Sequence, residues 1–143
     1  MDSPGMMVVG YVPGAFDMFH IGHLNILRRA RALCDRLVVG VVTDEVLGAM
    51  KGRPPVIPFA ERLDIVASIG IVDLAVPDTS SDKLTAWRSV HFDVLFKGDD
   101  WRGTPKGDRL EASLATVGVD VVYFPYTIST SSSVLREYLA ASG

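Results

Sequence analysis

The sequence predicts an α/β sandwich built on a parallel sheet, and three observations carry that reading. Short apolar runs rich in β-branched residues recur along the chain, each followed by a stretch with helical spacing. The runs are mostly continuous rather than alternating, as in strands covered on both faces. Finally, four polar clusters, at residues 14–23, 43–44, 98–101 and 126–133, each follow a strand. That is the edge where parallel sheets gather their ligands. With 143 residues, of which 48% are hydrophobic, one domain over residues 1–143 is expected to enclose its own core.

Taken in order, residues 6–9 open as a buried strand, and a tight turn is expected at Pro13-Gly14. Residues 24–33 have helical periodicity, with Leu24, Leu27 and Ala30 on one face. Residues 37–42 form the second strand, which ends in the polar, loop-like Thr43-Asp44-Glu45. Residues 51–55 read as a mobile loop able to close over a substrate, before a helix over 59–68. Residues 73–76, closed by Pro77, are the third strand, and residues 78–82 offer N-caps for a helix through Trp87 and Arg88. The fourth strand is 93–97. Pro105 suits the first position of a helix to about Val117, with Gly118 as its cap. Residues 119–124 make the fifth strand, and Ser131-Ser132-Ser133 precede a final helix over 134–140.

Composition excludes several classes. A net charge of −3, from 14 basic and 17 acidic residues, gives no bulk attraction to nucleic acid or to an anionic membrane. An anionic ligand must therefore be met by a local cluster. Cys34 is the single cysteine and cannot form an internal disulfide. It is expected as a buried small residue of the first helix, in a reducing compartment. The start of the chain has no basic n-region and no long apolar segment follows, so neither a signal peptide nor a membrane span is expected, and the chain is read as cytoplasmic.

The densest chemistry lies in residues 10–23. His20 and His23 are three apart and share a face if the helix has begun. Gly22 removes a side chain where a ligand would press on the backbone. A helix start also offers free N–H groups and positive dipole to a phosphate. Gly14-Ala15-Phe16-Asp17 followed by His20-Ile21-Gly22-His23 resembles the signature of the cytidylyltransferase family within the nucleotidyltransferase superfamily, Gly-Thr-Phe-Asp and then His-x-Gly-His. Ala15 stands where the family has Thr. Val42-Thr43-Asp44-Glu45, Lys51-Gly52-Arg53, Glu61-Arg62, Gly98-Asp99-Asp100-Trp101 and the serine-rich helix start follow in family order. The resemblance runs from about Val8 to Leu139 and is greatest to glycerol-3-phosphate cytidylyltransferases, with ethanolamine-phosphate cytidylyltransferases close behind.

That resemblance implies a doubly wound, Rossmann-like five-stranded parallel sheet with helices on both faces, and a homodimer. It implies transfer of CMP from CTP to a small phosphate monoester such as glycerol 3-phosphate, releasing pyrophosphate and forming a CDP-alcohol. Such transfer depends on alignment and charge stabilisation at the α-phosphate. His20 and His23 would donate to its equatorial oxygens, and Lys51 and Arg53 would flank the reacting phosphates. Ala15, Phe16, Asp17 and Gly22 would meet the nucleotide, as would Asp100 and Trp101. Tyr126 and Thr127, with Ser131 and Ser132, would meet it from the last strand and helix. Lys83 would bind the acceptor's phosphate. Mg²⁺ would ride mainly on the nucleotide phosphates, since the chain has no metal-ligand motif. No nucleic-acid or membrane partner is implied. Arg62 and His91 are read as structural, the latter on the far edge of the sheet.

Two family cations are missing: Tyr126 replaces an arginine, and Gly70 replaces a basic residue. Lys97, Arg102, Lys106 and Arg136 are the candidates to compensate. The Ser-Ser-Ser-Val-Leu-Arg136 ending is similar to the adenylyltransferase branch. An ATP-dependent transfer to a phosphorylated cofactor precursor or sugar phosphate is thus the alternative. A nucleotide-binding regulatory protein without turnover is the third reading.

Overall fold

The computed structural model describes residues 7–125 and 132–142. Strands β1 (Val9–Gly14), β2 (Arg36–Val42), β3 (Leu74–Asp78), β4 (Val94–Gly98) and β5 (Asp120–Phe124) form one parallel sheet in the order β3-β2-β1-β4-β5. The chain builds outward from β1 through β2 and β3, then returns to the other side of β1 for β4 and β5. Neighbouring residues along each strand face opposite ways. Val12, Val39 and Phe96 pack with Leu27 and Ala30 of α1 (Ile21–Arg31) and Val66 of α3 (Phe59–Ala67). Tyr11, Val38 and Leu95 pack with Leu110 and Leu114 of α5 (Pro105–Ala115), and with Leu84 and Trp87 of α4 (Lys83–Val90). Two cores, one on each face, are the expected doubly wound sandwich.

Several local expectations need correction. Pro13 and Gly14 do not turn; they continue β1 and pair with Gly40 and Val41. Pairing of β1 with β4 covers only Gly10 and Tyr11, so the proline sits where one flank of the strand is free of a ladder. Thr43-Asp44-Glu45 is not a loop but the start of α2 (Asp44–Lys51), with Thr43 as N-cap accepting from the Val46 amide at 3.5 Å. Pro77 lies within β3, which an edge strand tolerates. Cys34 is half-buried and lies beyond the end of α1. The final helix, α6, covers Ser132–Ser142. Among the described residues no helix is long and apolar enough to cross a membrane.

The amino edge of the sheet is pinned by three aspartates, each directly before a strand. Asp35 accepts the Val8 amide at 2.8 Å, Asp93 the Val9 amide at 2.8 Å, and Asp73 the Leu37 amide at 2.7 Å. Asp73 also pairs with Arg31.

Candidate active site

The opposite, carboxyl edge is less relaxed. After β1 the chain bends sharply, with Phe16 and Met18 at φ of 53° and 51°, where bulky residues rarely sit. Gly14 lets the Phe16 ring fold back over it, since a Cβ there would lie 2.9 Å from the ring. Two buried groups hold this bend. Asp17 accepts the amides of Val56 and Ile57, both at 2.8 Å, and pairs with Arg136 of α6. Arg62, 1% exposed, donates to the carbonyls of Ile57 (2.9 Å), Ala15 (2.7 Å) and Val42 (2.8 Å) and to Asp44 at 2.7 Å. Together they fasten the segment before α3 across the ends of β1 and β2. Arg62 is thus the structural residue expected, with more partners than one salt bridge. Asp17, expected at the nucleotide, takes part in this clamp and also lines the neighbouring cavity.

His20 is the N-cap of α1 and His23 its third residue. The Gly22 amide donates to His20 Nδ1 at 3.0 Å, and the His20 amide donates to His23 Nδ1 at 3.2 Å. The two rings stack with centroids 3.9 Å apart. An Nδ1 that accepts an amide proton carries none itself, so each neutral ring bears its proton on Nε2. Burial lowers the pKa of His20. Burial first, and then the neighbouring His20, lowers that of His23 to about 3, with Lys51 acting in the same sense against the pull of Asp17. Both rings are neutral Nε2–H donors at neutral pH. The helix start therefore differs from the expectation: the amides of His20 and Gly22 are taken by imidazoles, and the rings' Nε2–H groups stand in their place.

A cavity of about 290 Å³ opens beside this helix start. Its wall includes Ala15, Phe16, Asp17 and His23, together with Asp100 and Trp101 from the 3₁₀ turn after β4. Among the described residues four cations border it: Lys51 at the end of α2, Lys83 at the start of α4, Lys97 of β4 and Arg136. Lys97 rests 4.0 Å from the centroid of the Trp101 ring. Burial lowers its pKa, Asp100 opposes that, and Lys83 and Lys51 add to it. Burial, then Arg136 and Arg53, likewise lower the pKa of Lys51. Such mutual repulsion marks a cluster suited to a polyanion.

The remaining expected site residues fall as follows. Arg53 lines a small adjoining notch with Lys51 and Arg136 rather than the main cavity. Lys83 pairs with Asp78 at 2.9 Å. Ser132 opens α6, while Tyr126, Thr127 and Ser131 lie outside the described residues. Gly70 lies between α3 and β3, at the amino edge, so a missing basic residue there takes nothing from the cavity. Of the candidate compensating cations, Lys97 and Arg136 reach the cavity wall. Arg102 instead covers the Tyr123 ring at 5.3 Å, and Lys106 approaches Trp101 only from 5.6 Å. Lys97 belonged among the expected site residues; its signal is a lysine ending a strand just before Gly98-Asp99-Asp100.

Comparison with known proteins gives matches to a family model, to relatives and to solved structures. A family model described as cytidylyltransferase-like matches residues 11–138. Ethanolamine-phosphate cytidylyltransferase from Arabidopsis thaliana is 43% identical over 102 residues, covering 68% of this chain and 24% of that protein. Bifunctional protein HldE from Hyphomonas neptunium is 35% identical over 130 residues, covering 89% of this chain and 26% of that protein. The chain thus spans about a quarter of the length of these relatives. The lipopolysaccharide core biosynthesis protein from Thermoplasma volcanium GSS1 superposes with a TM-score of 0.73 at 25% identity, over 85% of this chain and 100% of that one. Pantoate-beta-alanine ligase from Francisella tularensis, at 14% identity and a TM-score of 0.63 over 89% of this chain and 61% of its own, shares the fold.

Proposed function

The chain belongs to the cytidylyltransferase-like family, and from that premise we propose that it transfers CMP from CTP to a small phosphate monoester. Glycerol 3-phosphate or a similar alcohol phosphate is the acceptor, and a CDP-alcohol and pyrophosphate are the products. The observation that carries this reading is the pair of stacked neutral imidazoles, tied at Nδ1 and bearing donors at Nε2, of which His23 lines a cavity bordered by cations.

A phosphate oxygen of the acceptor attacks the α-phosphorus of CTP, and the bond to the β-phosphate oxygen breaks. Negative charge moves toward the leaving pyrophosphate. His20 and His23 donate to the α-phosphate oxygens and are held for it in advance, so little reorganisation is needed at the transition state. Lys51 neutralises the reacting phosphates. Lys97 and Arg136 supply the positive charge that Tyr126 does not, and Lys83 receives the acceptor's phosphate. Among the described residues no group of three or more His, Cys, Asp and Glu side chains is placed to hold a metal ion. Magnesium would be carried on phosphate oxygens and water, where it would add further charge neutralisation.

Pyrophosphate release, measured with CTP or ATP against glycerol 3-phosphate, ethanolamine phosphate and sugar phosphates in the presence of Mg²⁺, tests the reading. Release with CTP and an alcohol phosphate is expected. Faster release with ATP across the panel would move the chain to adenylyl transfer, a reading favoured by the likeness of the Ser-Ser-Ser-Val-Leu-Arg136 ending to adenylyltransferases. Nucleotide binding without any release would overturn catalysis altogether.

A further inference from the structure

A line of buried polar contacts crosses three strands to reach Lys83. Tyr11, fully buried on β1, stacks on Phe92 with ring centroids 4.6 Å apart. Its side chain passes over β2 at Gly40, where a Cβ would lie 1.8 Å from the tyrosine oxygen. The hydroxyl donates to Oδ2 of Asp78, at the end of β3, at 2.5 Å. The other carboxylate oxygen, Oδ1, accepts from Lys83 Nζ at 2.9 Å, and the Ser80 carbonyl accepts from the same nitrogen at 3.3 Å. The Asp78 side chain is 1% exposed and that of Lys83 11%.

Pairing a lysine with a carboxylate requires neither a tyrosine crossing the sheet nor a glycine in the middle of a strand, where glycine weakens the backbone. The tyrosine adds two things. It fixes the rotation of the carboxylate, so that Oδ1 faces Lys83. It also draws negative charge toward Oδ2, leaving more of the ammonium's charge for another anion. An ammonium has three donors, and Asp78 and Ser80 take two. Among the described residues the third has no partner, and Lys83 lines the cavity.

We propose that the Tyr11–Asp78 pair is a positioning device that aims Lys83 at the acceptor's phosphate and so sets affinity for that substrate and not for the nucleotide. The proposal rests on the assignment of Lys83 to the acceptor. Neither Tyr11 nor Asp78 need touch a substrate.

The test is steady-state kinetics with CTP and glycerol 3-phosphate, or the best acceptor of the panel, on wild type, Tyr11→Phe, Lys83→Ala and the double variant. Phenylalanine keeps the stack on Phe92 and removes only the hydroxyl. Tyr11→Phe is expected to raise the acceptor KM roughly 2–12-fold, the worth of one hydrogen bond. The CTP KM and kcat should stay within about twofold. Asp78→Asn, which leaves one carbonyl oxygen for two donors, should raise the acceptor KM further. The double variant should be no worse than Lys83→Ala alone, because the hydroxyl acts through the ammonium. An unchanged acceptor KM in Tyr11→Phe, an equal rise in both KM values, or a Tyr11→Phe effect that persists without Lys83 would overturn the proposal while the transferase reading stands. A wild type that turns over no nucleotide–acceptor pair would overturn both.

Discussion

At the amino edge of the sheet, Asp35, Asp73 and Asp93 each accept a backbone amide of the adjacent strand or of the residue leading into it. At the carboxyl edge, Lys51, Lys83, Lys97 and Arg136 converge on one cavity, and burial and mutual repulsion lower the pKa of Lys51 and Lys97. The first set of charges completes the structure. In the second, Lys83 and Arg136 pair with Asp78 and Asp17, while Lys51 and Lys97 are held against burial and repulsion, and the left-handed backbones of Phe16 and Met18 add strain. A fold keeps such a cluster only where other contacts hold it, and here Arg62 and Asp17 do so from below. The difference separates charge spent wholly on strand ends from charge that also borders a cavity.

The sharpest break in that comparison is removal of the clamp. Arg62→Met leaves the carbonyls of Ala15, Val42 and Ile57 without their buried donor. At about 1–3 kcal/mol for each unsatisfied group, the loss should be at least about 3 kcal/mol by urea unfolding. Turnover should fall with it, because the site's floor is lost.

Ligand binding should then stabilise the native state through the carboxyl edge. CTP at 100 times its Kd should add about 2.7 kcal/mol to the unfolding free energy. Lys97→Ala should reduce that gain at the same CTP concentration, whereas Asp93→Ala should leave it intact. Asp93→Ala itself should cost about 1–2 kcal/mol, one charge-assisted hydrogen bond at a partly solvated strand start, with kcat unchanged. A change in kcat for Asp93→Ala would mean that the two edges are not independent.

The smallest effect concerns acid. The pKa of His23 falls from 6.5 in the unfolded chain to about 3 in the fold, so below pH 6.5 the unfolded state binds the extra proton. The stability contributed by the neutral ring is present above 6.5 and is lost progressively toward about 3. The urea midpoint should decline between pH 7 and pH 5, and less so in His23→Gln. The same shift means that an acid limb in kcat/KM near pH 6 should follow the second ionisation of the acceptor phosphate, about 6, and not His23.

Much of this was legible in the sequence, for identifiable reasons. The continuous β-branched runs of β1 and β2 are strands buried on both faces. The histidine spacing marked the start of α1, although its consequence, two rings capping the helix through Nδ1, depends on backbone geometry that spacing does not contain. Pro13-Gly14 read as a turn because local preference says so, yet ladder partners in β2 override it. The start of α2 reads as a loop from its polarity alone, although Thr43 followed by Asp44 and Glu45 is a sound helix opening. The aspartates before β2, β3 and β4 were visible as a recurring Asp ahead of an apolar run, but their role depends on which strands lie side by side. Tyr11 reaching Asp78 across Gly40 joins three strands and has no local signal at all.

The most direct measurement of the central claim is kcat for His20→Ala and His23→Ala beside the Kd for CTP of each, at a temperature where both variants are folded. Neutral Nε2 donors that act on the transition state predict a fall in kcat of about 10²–10³-fold for either variant, with the Kd shifted by less than about threefold. A His23→Ala variant that turns over at the wild-type rate, or one whose loss of CTP affinity matches its loss of kcat, would contradict the account.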